Sequence, residues 1–66
     1  MPNLAEGLRD ELGRCTDLLE AYTKIGPAGA FGAMMIRMRI DGANAAIASG
    51  DIIAMLKAYQ VLKACE

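Results

Sequence analysis

The stretch from Pro27 to Ala48, PAGAFGAMMIRMRIDGANAAIA, decides the fold. On a wheel of ~100° per residue, the angle set by 3.6 residues per turn, Phe31, Met35, Met38, Gly42 and Ala45 fall on one face. Ile36, Ile40, Ala43 and Ile47 fall on the opposite face. Only Arg37, Asp41 and Asn44 align as a polar strip, with Arg39 alone on the other flank. A helix that is apolar nearly all round is buried nearly all round. Pro27 suits its first turn, where the missing N–H is not needed. The stretch therefore predicts a helix over about 27–48 with two faces to cover.

On its N-terminal side, Gly26-Pro27 ends a preceding helix, because glycine closes a last turn and proline cannot continue the ladder. Within that helix Leu8, Leu12, Cys15, Leu19 and Tyr22 recur at alternating spacings of four and three, the seam of a helix packed lengthwise on another. Arg9, Asp10, Arg14, Asp17 and Glu20 fall largely off the seam. Asn3 with Glu6 has the pattern of a capping box, so the helix should cover about 4–25. On the C-terminal side, Ser49-Gly50-Asp51 is a second turn: glycine closes one helix and aspartate caps the next. Ile52, Met55, Leu56, Tyr59 and Leu62 then form a stripe on a helix over about 51–64. No run alternates with a period of two. The expected fold is all-α, a single domain over 1–66 built as a three-helix bundle or a helical hairpin plus a helix. Two short neighbours cannot cover both faces of the central helix. Small chains also bury too little surface to be robust alone. Homo-oligomerisation is the expected completion.

Composition removes whole classes of function. The 66 residues include no His and no Trp, and seven Lys+Arg face eight Asp+Glu for a net charge of −1. Without His, and with Cys15 and Cys65 as the only soft ligands, the usual zinc sets and histidine triads are out of reach. The balanced charge offers no basic footprint for nucleic acid. The longest uncharged run, Ile25 to Ile36, contains Gly and Pro and is too short for a bilayer. The start Met1-Pro2-Asn3-Leu4, with acids soon after, does not read as a signal peptide, and two cysteines without one read as reduced thiols. These features predict a cytoplasmic protein. Cys15 sits on an apolar face and Cys65 in an end expected to fray, so neither suggests redox work. Ser49 and Thr16 have no base to activate them, and the acids form no paired arrangement. No catalytic residue, metal or cofactor is expected, and the chain does not read as an enzyme.

Two resemblances arise at these residues. Gly50-Asp51 followed by Ala58-Tyr59 resembles the turn and second half of a tetratricopeptide repeat, although the family's small residue three places after the tyrosine is Leu62 here and only one such unit is present. The run Ile25-Gly26-Pro27-Ala28-Gly29-Ala30-Phe31-Gly32, together with the segment from Ala48 to Lys63, is similar to short phage or prophage proteins of unassigned function. That second resemblance implies a small accessory protein that binds a host component, in host takeover or against host defence, within the host cytoplasm. It transfers no site residues.

Two functional expectations follow. The first is stoichiometric protein binding: Phe31, Met34, Met35, Met38, Ile36, Ile40 and Ile47 are the candidate interface, since methionines make a soft, adaptable surface, and the partners are a second copy and a host protein. The alternative is an oligomeric sponge for a nucleotide or other anion. Gly26 and Gly29 lie where free amides and the helix dipole attract negative charge, with Lys24 and a stacking Tyr22 before them and Arg37 and Arg39 beyond. No strand precedes this segment and no Lys-Ser/Thr follows it, so it is neither a dinucleotide fingerprint nor a P-loop. A competing reading is that Gly29 and Gly32 let a neighbouring helix pack closely. For Arg37 the simplest expected fate is an ion pair with Asp41.

Overall fold

A computed structural model describes residues 3–65, and its elements follow from the local signals. Asn3 accepts a hydrogen bond from the Glu6 N–H onto its side-chain oxygen at 2.8 Å and so starts α1, Leu4–Ile25. Helix α1 stops at Gly26, whose φ of 84° no L side chain adopts cheaply. Residues Gly26–Gly29 make one 3-10 turn, and α2 runs Ala30–Ser49. The α-helix thus begins three residues later than the proline suggested. Tight i→i+3 bonding, with the Ala30 N–H on the Pro27 carbonyl, brings the Gly29 backbone hard against α1 before the regular helix starts. Gly50 then turns left-handed at φ 71°. Asp51 caps α3, Ile52–Lys63, its carboxylate accepting from the Ile53 and Ala54 N–H groups at 2.9 and 3.4 Å.

All three helices pack on one another, and named contacts give their directions. Tyr22 near the end of α1 lies against Gly29 of the 3-10 turn and Gly32 at the start of α2, so α1 and α2 run antiparallel. Gly7 faces Tyr59, and Cys15 reaches the Leu62 carbonyl, so α3 runs parallel to α1. The fold is all-α and, of the two architectures considered, is the up-down-up three-helix bundle.

The centre is small. Leu8, Cys15, Ile36, Ala43, Leu62 and Cys65 form the buried cluster, and Leu12, Leu19, Tyr22, Ile40, Met55 and Tyr59 are among the half-buried residues packed around it. The α1 seam is therefore where the spacing placed it. On α2 the isoleucine face turns inward, so Ile36 and Ile40 are spent on the core and cannot also meet a partner. On α3 the expected stripe is only partly used. Met55, Tyr59 and Leu62 face the core, whereas Ile52 and Leu56 are exposed. Cys65 is not frayed: it is wholly buried.

The three helices differ in length. At ~1.5 Å per residue α1 spans ~33 Å, α2 ~30 Å and α3 only ~18 Å. Helix α3 starts beside the end of α2 and finishes level with Cys15 and Arg39. Beyond that level the molecule is a two-helix hairpin, the second half of α1 against the first half of α2.

Candidate functional site

The bare hairpin carries a row of large apolar side chains. Phe31 is 72% exposed, Met38 62%, Met34 50% and Met35 36%. Ile25, at the hairpin's tip, is also largely exposed. This ledge contains the methionine–phenylalanine part of the predicted interface. Ile47, further along α2, is half-exposed at 39% and sits apart from it.

The ledge runs on into an open groove of about 740 Å³ between α2 and α3. Its small-residue floor comes from Gly42, Ala43 and Ala46 on one helix and Ala54 and Ala58 on the other. Met35, Met38 and Val61 form its apolar walls, and Lys57, Arg39 and Asp51 supply charge at its margins. Small side chains facing each other across two helices leave volume that neither helix fills. Ile53 and Leu56 of α3 are exposed as well, outside the groove lining. The accessible surface of 4534 Å² exceeds the ~4,000 Å² expected for a compact monomer of this mass.

The residues predicted for an anion are dispersed. Gly26 and Arg37 share a second cleft of about 400 Å³ with Thr23, Pro27, Ala30, Ala33 and Met34. Lys24 instead points to Glu20 on its own helix, 3.4 Å away. Gly29 is buried, and a methyl group there would run into the Tyr22 carbonyl; at Gly32 it would run into the Tyr22 ring. These two glycines serve close helix packing, and the Tyr22 ring lies on Gly32. Arg39 turns the other way, toward Cys65. Arg37 and Asp41 form no ion pair with each other among the described residues. On exposed helix surface such a pair gains only tenths of a kcal/mol, too little to hold two long side chains together.

Sequence reading missed the arrangement at the end of α3. Arg14, placed off the seam, donates from Nη1 to the Cys65 carbonyl and from Nη2 to the Leu62 carbonyl, both at 2.7 Å. Its Nε bonds Glu11 at 2.9 Å, which fixes the guanidinium and raises its pKa further. A cation thus sits on the last carbonyls of α3, as the helix dipole favours, sharing that of Leu62 with the Cys65 N–H. Beneath it the Cys65 sulfur accepts from Arg39 Nη1 at 3.4 Å, and the Cys15 thiol lies 3.5 Å from the Leu62 carbonyl. Burial, and to a lesser degree the neighbouring Cys65, push the Cys15 thiol up to about 11, against a smaller opposing effect of Arg14. No local signal pointed to it: Asp10, Glu11 and Asp17 all lie within four residues of Arg14 on its own helix, whereas the carbonyls it reaches belong to α3.

No family model matches the chain, and neither the curated proteins nor the solved structures contain a match to it. Among the described residues no group of His, Cys, Asp or Glu is assembled that could hold a metal, and no helix is long and apolar enough to cross a membrane. The hydroxyls of Thr16 and Ser49 donate to the backbone carbonyls of Leu12 and Ala46 at 2.7 Å, an ordinary local use of a helical hydroxyl.

Proposed function

We propose that the protein is a non-catalytic interaction module that self-associates through the ledge and groove and acts by stoichiometric binding of another protein. One observation carries this reading: on the side of α2 turned away from its core isoleucines, Phe31, Met34, Met35 and Met38 stay exposed on a surface continuous with an apolar groove. A monomer does not gain by exposing four such side chains together. Fully burying each contributes roughly 1.5–3 kcal/mol. The first occupant is a second copy, most simply about a two-fold axis, so that the ledge of one protomer meets the groove of its partner. The resemblance to phage accessory proteins extends the proposal to a host protein as the target and the host cytoplasm as the place.

Native mass spectrometry of protein prepared gently from its expressing cell is the test. The expected result is a clean multiple of 7.0 kDa, which Phe31→Asp reduces to the monomer while circular dichroism shows the helices intact. A wild-type monomer that stays folded and soluble at micromolar concentration would remove the reading.

The cleft that joins Gly26 to Arg37 favours a second, ligand-binding reading, a sponge for a nucleotide-like anion. It predicts extra mass of a few hundred daltons per site in the native spectrum. It also predicts a ligand-dependent rise in Tm, equivalent to about 2.7 kcal/mol at ~100 times the dissociation constant. A nucleotide panel without such a rise eliminates it.

A further inference from the structure

We propose that Cys15 and Cys65 are an oxidisable pair that closes a disulfide between α1 and the end of α3, with a hydroperoxide as the oxidant. Both thiols are free and both are fully buried in the same cluster. They converge on a single carbonyl: that of Leu62 accepts from the Cys15 sulfur at 3.5 Å and from the Cys65 N–H at 3.0 Å. Two cysteines fifty positions apart in the sequence are thus held side by side at the closing edge of the bundle.

The surroundings assign the order of events. Cys65 has the guanidinium of Arg39 on its sulfur and lies in the final, non-helical turn, where a small opening exposes it. Cys15 lies below it, neutral and shielded. The Cys65 sulfur, as thiolate, attacks one peroxide oxygen: an S–O bond forms, the O–O bond breaks, and the departing oxygen takes up the proton the thiol released. That yields a sulfenic acid and one water, or one alcohol from an organic hydroperoxide. The Cys15 sulfur then attacks the Cys65 sulfur. The S–S bond forms, the S–O bond breaks, and the hydroxide leaves with the Cys15 proton as water. Two thiols are oxidised by two electrons and one peroxide is reduced by two. Arg14 lies over the exit, bonded to both the Leu62 and Cys65 carbonyls, and so controls how often the turn opens.

The test treats the full-length protein with hydrogen peroxide in the absence of reductant. The expected product keeps the monomer's covalent mass less two hydrogens, contains a Cys15–Cys65 linked peptide, and returns to the dithiol with dithiothreitol. Its Tm rises on the order of 10–20 °C, because the bond closes a long loop of the unfolded chain. Arg14→Ala accelerates the reaction roughly tenfold, and Cys15→Ser abolishes the rise in Tm. The linked peptide is sought in the wild-type protein, so the result does not depend on either variant folding. Exposed Met34 and Met38 serve as an internal clock. If their sulfoxides appear while the two thiols survive, the proposal is overturned. A covalent dimer through Cys65, or sulfinic acid at Cys65 beside a free Cys15, overturns it equally.

Discussion

A single methyl group separates the glycines of this chain into two kinds. At Gly29 it would strike the Tyr22 carbonyl, part of a backbone that cannot swing aside, and at Gly32 the Tyr22 ring. Gly29→Ala should therefore cost about 1–3 kcal/mol, as overpacking does. At Gly13 nothing lies within 4 Å of the new methyl, so Gly13→Ala should gain about 0.5–1 kcal/mol from helix propensity alone. Urea melts of the two variants should move in opposite directions. Cys15 makes a different prediction. Burial lifts its thiol from 9.0 to about 11, so the folded protein keeps a proton there that the unfolded chain releases first. That contribution to stability is complete below about pH 9 and is lost as the pH rises to about 11. Thermal melts across this window should show a decline that Cys15→Ser lessens. The capping residues Asn3, Gly50 and Asp51 could be read in advance, because their action is local in sequence. Cys65 could not: its burial depends on Arg14 and Arg39, which come from two other helices.

Helix boundaries were legible for the same reason, and the outcome at α2 shows where that legibility stops. Proline and glycine correctly marked a break after Ile25, but the 3-10 geometry of Gly26–Gly29 answers to Tyr22 across the turn and to nothing in the local spacing. The pattern of α2 announced two apolar faces, and packing chose the isoleucines for the core because they stand opposite Leu8, Cys15 and Leu62. The stripe on α3 overstated burial: Ile52 and Leu56 belong to a periodic pattern but lack a helix to meet them. An element-scale prediction concerns the turn before α3. Asp51 holds two N–H groups, and Asp51→Ala should lower stability by about 1 kcal/mol. Because α3 is the shortest helix and one wall of the groove, this loss should loosen that wall first. Hydrogen exchange should therefore quicken in α3 before it does in α1.

At the scale of the whole molecule, the mismatch in helix length leaves one end three helices thick and the other two. If a second copy covers the thin end, stability must depend on protein concentration, since only the associated form buries the ledge. Wild-type Tm should then rise with concentration over a dilution series, and that of Phe31→Asp should stay flat. The candidate interface was half legible. Phe31 and the methionines stand out as apolar residues beyond the core's needs, but the groove beside them depends on how two Ala- and Gly-rich surfaces face each other, which no single helix records.

The bridge from Arg14 to α3 also sets a timetable. Contacts between α1 and α2 begin with neighbours across a short turn, Tyr22 with Gly29 and Gly32. The bonds from Arg14 to Leu62 and Cys65 join positions 48 and 51 residues apart. Closing the larger loop is the entropically dearer event. The hairpin should therefore assemble in the folding transition state, with the Arg14 bridge forming only on the native side of the barrier. Stopped-flow kinetics of Arg14→Ala should show unfolding accelerated and folding almost unchanged, a φ-value near zero. The clasp sets how long the native state lasts once formed, and contributes little to how quickly it is reached.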